Sequence, residues 1–132
     1  MTFTWNDNLS TGNAMIDAQH KQLFTAINDL LDACGSGHGK SRIDSTMRFL
    51  IEYTHKHFGD EEKLQQQHNY PDYPNHKKMH DSFKASIEEL AKELKAKGPT
   101  PLLMTKITSS TGDWLINHIQ QQDKKVAAHI HG

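Results

Sequence analysis

From residue 17 onward, apolar positions recur every three or four residues, the period of a helix that buries one face. Ile16, Leu23, Phe24, Ile27, Leu30, Leu31 and Cys34 form a first stripe. Ile43, Met47, Leu50, Thr54 and Leu64 form a second, and Phe83, Ile87, Leu90 and Leu94 a third. The fourth runs through Leu103, Met104, Ile107, Thr111, Trp114, Leu115, Ile119 and Val126. Three breaks separate the stripes: the Gly-rich run at 35–39, the turn-forming run Asn69-Tyr70-Pro71-Asp72-Tyr73-Pro74, and Gly98. Asp17 reads as an N-cap for the first helix, and Ser41 with Asp44 as a capping signal for the second. Thr100 followed by Pro101 opens the fourth. These signals predict helices near 17–35, 41–67, 74–97 and 101–129, after an extended arm over 1–16 anchored by Phe3 and Trp5. No alternation of strand period competes. The expected fold is all-α, an up-down-up-down antiparallel four-helix bundle occupying 1–132 as a single domain.

The polar residues caught on those inward faces change the picture. His20, His57, Glu61, His76, His80 and His118 all fall where the period assigns a core. His57 and Glu61 are four apart, as are His76 and His80, so each pair lies about 40° apart on one face of its helix. The turn at 69–74 lets those two helices face each other. A buried carboxylate and a cluster of imidazoles are costly to desolvate, and a bound cation reverses that cost. The structural alternative, a core histidine held by one hydrogen bond, suits any one of these positions better than all of them together. His38, His55, His68, His129 and His131 lie in loops, at the end of the chain or on faces expected to meet solvent.

Composition adds little beyond exclusions. The chain of 132 residues carries a net charge of −1 with both signs mixed, which argues against a nucleic-acid surface. A single cysteine, Cys34, excludes an internal disulfide framework and fits a reducing compartment. No apolar run reaches the ~18–20 residues of a membrane span and no signal-peptide pattern opens the chain, so the expected location is the cytoplasm.

The order His20, His57-x-x-x-Glu61, His76-x-x-x-His80, His118-x-x-x-x-Asp123 resembles the signature of the haemerythrins, in particular the bacterial ones. Trp5-Asn6-Asp7 and Ile16-Asp17-Ala18-Gln19-His20 are similar to theirs as well. The resemblance spans essentially the whole chain and fills all seven ligand positions. It implies a non-haem centre of two iron ions that binds O2 reversibly. By position, His76, His80 and His118 would hold one iron and His20 and His57 the second. Glu61 and Asp123 would bridge them, together with an oxo or hydroxo group. Small anions such as azide would compete at the open position of the second iron. Trp114, Leu115 and Ile119 match positions that border the O2 pocket in the family. Neither a nucleic acid nor a membrane is implied as a partner, and no protein partner is indicated.

Residue chemistry agrees with the implied metal, since imidazole suits iron and shared carboxylates suit a pair of hard-to-borderline cations. His118 and Asp123, five apart, would diverge by about 140° on an ideal helix. Either the helix widens there into a π turn or the two side chains approach from opposite flanks. Gly59 and Gly112, inside expected helices, suggest close backbone approaches. The alternatives to an oxygen-binding protein are a di-iron oxidase or peroxidase, a nitric-oxide-processing enzyme, an iron-sensing module, or a zinc site. Ferritin-like oxidases use several glutamates and Glu-x-x-His pairs three apart, unlike this set. Zinc favours four ligands and sulfur.

Overall fold

The computed structural model describes residues 3–35 and 40–131. The Gly-rich loop expected at 35–39 therefore lies almost wholly outside the described residues, with His38 in it. Among those described, four long helices form: α1 (Ala14–Gly35), α2 (Lys40–Gln67), α3 (Tyr73–Lys97) and α4 (residues 101–131). Each packs against its neighbours in sequence, and α4 closes the ring against α1, giving an antiparallel four-helix bundle. No helix among the described residues is long and apolar enough to cross a membrane.

Local chemistry explains where the helices begin and end. α1 starts three residues before Asp17. Its cap is Asn13, whose side-chain oxygen accepts the Ile16 N–H at 3.1 Å. Asp17, already inside the first turn, reaches back instead and accepts hydrogen bonds from Ser10 Oγ, Thr11 N and Thr11 Oγ1. Ser41 likewise sits within α2 rather than ahead of it.

Just past the end of α2 stands Asn69, whose φ of 52° is the left-handed conformation that Asn tolerates better than most residues. Tyr70 N–H then bonds Gln65 O at 2.9 Å and Asn69 N–H bonds Gln66 O at 3.2 Å, closing the last turn. Thr100 caps α4 by accepting the Leu103 N–H at 3.1 Å, and Pro101 occupies the first helical position.

The arm docks along α1 and α4. Asn28 brackets Phe3 from both sides: its Oδ1 accepts the Phe3 N–H at 2.8 Å, and its Nδ2 donates to the Phe3 carbonyl at 2.7 Å. A short 3-10 turn, Asp7–Leu9, drives Leu9 into the core. Lys21 Nζ lies 4.4 Å over the Trp5 ring. The Phe3 ring presses on Gly112 so closely that a methyl group there would overlap it, which accounts for glycine inside α4. Gly59 differs, because a Cβ at that position would meet nothing within 4 Å.

α4 is not a uniform α-helix. Two π turns, Ser109–Asp113 and Ile119–Asp123, interrupt the α-helical runs Pro101–Thr108, Trp114–His118 and Lys124–His131. The helix axis continues through both.

The inward faces divide into two ends. At one end, Leu30, Leu50, Ile87, Leu90, Leu94, Leu103 and Ile107 make an apolar core with Phe24 and Phe83. At the other, the early part of α1, the end of α2, the start of α3 and the later part of α4 come level, as antiparallel packing requires. All the inward-facing histidines lie there.

Candidate metal centre

α2 supplies His57 and Glu61 one turn apart, and α3 supplies His76 and His80 in the same way. α1 contributes His20 from its second turn, and α4 contributes His118 and Asp123. The five-residue spacing in α4 is resolved by the π turn Ile119–Asp123, in which Lys124 N–H bonds back to Ile119 O. A π turn closes one residue later than an α turn, so residues five apart stack as residues four apart ordinarily do. The first of the two geometries open at the sequence level is the one found.

All seven side chains are buried, six of them at 0% exposure and His118 at 5%. They form two groups within which one ligand atom per residue lies within 4.8 Å of the others. Glu61, His76, His80, His118 and Asp123 make the first, and His20, His57, Glu61 and Asp123 the second. The two carboxylates belong to both. Glu61 turns Oε1 to His76 Nε2 at 2.8 Å and His80 Nε2 at 3.5 Å, and Oε2 to His57 Nε2 at 3.2 Å. Asp123 turns Oδ1 to His76 Nε2 at 3.2 Å and His118 Nε2 at 3.1 Å, and Oδ2 to His20 Nε2 at 2.9 Å. Each carboxylate thus spends one oxygen on either side.

Electrostatics follow from that crowding. Burial and the Asp123 charge both push the Glu61 carboxyl up, yet His57, His76 and His80 around it hold it well below the usual carboxylate range. Burial likewise opposes the Asp123 charge, and His118, His20 and His76 overcome it. Burial disfavours a proton on His76, but the Asp123 and Glu61 carboxylates beside it outweigh that and push the imidazole up to about 9. His80 moves up for related reasons, with Glu61 and Glu62 overriding burial. Two buried anions among imidazoles this close call for positive charge, and without a cation protons must provide it.

Protons do not satisfy the geometry. Among the described residues, His20 Nε2, His57 Nε2, His80 Nε2, Glu61 Oε2 and both Asp123 oxygens are buried and make no hydrogen bond, despite their proximity to one another. Such orphaned atoms are rare in native interiors. A cation accepts lone pairs from directions that hydrogen bonds do not serve, and imidazole nitrogen with carboxylate oxygen is a donor set that suits iron. The residues fit a metal pair.

Several residues that support the seven carry no periodic signal. Gln19 Oε1 lies 2.7 Å from His57 Nδ1, while Gln19 Nε2 donates to Asp60 Oδ2 at 2.8 Å, and Lys56 donates to the same oxygen at 3.0 Å. Glu62 Oε2 lies 2.9 Å from His80 Nδ1. A carboxylate only accepts, and the Gln19 amide already spends its N–H on Asp60. Nδ1 is therefore the protonated nitrogen of both rings, leaving Nε2 to face inward with a free lone pair. Phe58, fully buried, stacks on His80 with ring centroids 3.8 Å apart and planes within 2°. Gln65 is buried beside Glu61, with Nε2 3.5 Å from its Oε1.

Trp114 stacks on His118 at 4.5 Å and on Phe83 at 4.2 Å. Leu115 and Ile119, three residues before and one after His118, are buried in the core. Of the other described histidines, His55 is exposed near Glu88, and His129 Nε2 bonds the His68 carbonyl at 2.8 Å.

The family model described as "Hemerythrin HHE cation binding domain" matches residues 11–130. Among curated proteins, the chain is 34% identical to the Bacteriohemerythrin of Methylococcus capsulatus, covering 94% of this chain and 92% of that one. It is 31% identical to the Myohemerythrin of Sipunculus nudus, over 93% and 89% respectively. A solved wild-type hemerythrin superposes with a TM-score of 0.87 at 30% identity, over the full length of both chains.

Proposed function

The chain belongs to the haemerythrin family, and on that premise we propose that it binds O2 reversibly at a non-haem di-iron centre, as a carrier or sensor rather than as an enzyme. The observation that carries this reading is the sharing of Glu61 and Asp123 between two ligand groups, with one oxygen of each carboxylate turned to either side. His76, His80 and His118 would hold one iron, and His20 and His57 the other. Glu61 and Asp123 would bridge the pair together with an oxo or hydroxo group. With three histidines on one side and two on the other, the second iron would have one protein ligand fewer than the first. When bound, the two irons supply the electrons and the coordination position that O2 takes.

The chain's own residues have three tasks in this scheme. The five imidazoles present neutral Nε2 lone pairs, and Gln19 and Glu62 fix that tautomer at His57 and His80. The two carboxylates cancel positive charge that the low-dielectric interior would otherwise penalise. Leu115 and Ile119, with Trp114 flat against His118, wall the centre with apolar surface that keeps out water and anions. Small anions such as azide are the expected competitors for the open position. The lone buried Cys34 supports a reducing, cytoplasmic setting.

The test is an iron assay with absorption spectra of the reduced protein through cycles of air and deoxygenation. Two irons per chain, with bands that appear in air and vanish on deoxygenation, are expected. One zinc per chain, or an irreversible spectral change on first exposure to air, would overturn the reading.

A further inference from the structure

The two sides of the centre are braced by partners of different charge. On the three-histidine side, His80 Nδ1 meets the carboxylate of Glu62 at 2.9 Å, and that carboxylate is only 13% exposed. On the two-histidine side, His57 Nδ1 meets the neutral amide oxygen of Gln19 at 2.7 Å. The amide cannot flip without losing its bond to Asp60 Oδ2 at 2.8 Å, an oxygen that Lys56 also holds. One brace is therefore anionic, and the other is neutral and locked in orientation.

This difference acts on the inward nitrogen. A hydrogen bond to an ionised acceptor is roughly twice as strong as one to a neutral acceptor. It draws the Nδ1 proton outward and makes the opposite nitrogen of the ring a stronger donor. A stronger donor favours the more highly charged ion. Phe58, parallel to His80 at 3.8 Å, keeps that ring from turning away from its partner. Resting on the di-iron reading above, we propose that Glu62 and Gln19 are positioning residues that set unequal donor strength on the two sides. Glu62 stabilises the ferric state of the three-histidine iron, and Gln19 leaves the two-histidine iron easier to keep ferrous. The open side would then stay reduced and ready for O2, while the closed side gives up its electron more readily.

The experiment exchanges the two braces. Glu62→Gln removes the anion and keeps the shape. Gln19→Glu combined with Asp60→Asn installs an anion at His57 while preserving a donor to it, with the polarity of that bond reversed. Iron per chain is measured first, then the midpoint potentials of the iron pair by spectroelectrochemistry. Removing such outer partners changes metal affinity by ~10–100-fold. A tenfold change in the preference for ferric over ferrous iron is about 59 mV for one electron. Glu62→Gln should raise one midpoint by about that much or more, and the Gln19→Glu, Asp60→Asn pair should lower one. Loaded variants whose potentials stay put, or both move in the same direction, would overturn the inference and leave the di-iron reading intact. A folded wild-type chain that takes up no iron would overturn both. Each variant is decisive alone, so failure of one to fold leaves the other to report.

Discussion

The two ends of the bundle are equally buried and differ in what burial costs them. At the apolar end, Leu30, Leu50 and Ile107 are at 0% exposure and belong to one hydrophobic cluster. At the other end, His20, His57, Glu61, His76, His80 and Asp123 are also at 0%, with several polar atoms unpartnered. The first end is stable because it excludes water. The second is stable only in company, since a polar group removed from water without a partner costs several kcal/mol. The bundle is therefore a self-sufficient half carrying a conditional half.

Metal removal should expose that difference most strongly. An ion present at a thousandfold excess over its Kd stabilises a fold by about 4 kcal/mol per site. Chelating iron from the reduced protein should lower the denaturation midpoint by an amount in keeping with two such sites. Amides of the apolar end should keep slow hydrogen exchange in the metal-free protein, while those near His57 and His118 lose it. Glu61→Ala should leave fewer than two irons per chain. A variant with a full complement would show that Glu61 is no bridge.

Truncation in the apolar half should behave in the opposite way. Leu30→Ala is expected to cost about 2–5 kcal/mol, equally in loaded and metal-free protein. Leu115→Ala, at the boundary, should cost a similar amount. It should also shorten the time for which the protein remains reversibly oxygenated in air, more so with azide present. A well-folded, fully loaded Leu115→Ala protein with an unchanged lifetime would make that residue packing alone.

A change of pH acts most strongly on the conditional half. His76 is pushed from an ordinary 6.5 up to about 9. Its contribution to the metal-free fold is complete below pH 6.5 and lost as pH rises toward 9. Glu61 and Asp123 are held below their ordinary 4.5 and 3.8, so their contributions are present above those values and lost as pH falls. The metal-free protein should be most stable between about pH 4.5 and 6.5, with an alkaline decline of roughly 3 kcal/mol at most. On the proposed ligand assignment iron would take the place of the His76 proton, so the loaded protein should lack that alkaline decline. Parallel melting curves across pH would reveal any such decline.

The smallest expected effect lies outside both halves. Gly112→Ala would displace the Phe3 ring, at a cost of about 1–3 kcal/mol. It should free the arm, seen as faster exchange of the Phe3 amide that Asn28 holds, while leaving iron content unchanged.

Six of the seven candidate ligands were legible in the sequence because burial imposes a period and these residues break its chemistry, whereas Asp123 entered only through the family resemblance. His57 with Glu61 and His76 with His80 need only helix geometry to be placed on shared faces. The His118 to Asp123 step needed the path of the backbone, since spacing alone allowed two arrangements. Gln19 and Glu62 were not legible. Each stands next to a candidate ligand and looks like an ordinary polar surface residue until a neighbouring helix is set in register. Phe58 gave no signal for a related reason, as a buried aromatic is expected anywhere in a core. The α1 boundary was read three residues late because Asp17, a good capping residue, is used by the arm, while Asn13 does the capping.

The π turns of α4 have a consequence for how the chain can be edited. A turn that closes on the fifth residue holds one residue more than its α counterpart, while the helix on either side keeps its direction. Ser109–Asp113 is in that sense spare length. Deleting a single residue there lets the turn tighten to an α turn and leaves Trp114–Asp123 facing as before, at the expense of the Phe3 seat. The same deletion between Leu50 and His57 finds α2 without slack and rotates everything beyond it by about 100°, carrying His57 and Glu61 off the shared face. Among the described helices α4 alone carries π turns and should alone tolerate a lost residue, and iron retention across a series of single-residue deletions would trace where that tolerance begins and ends.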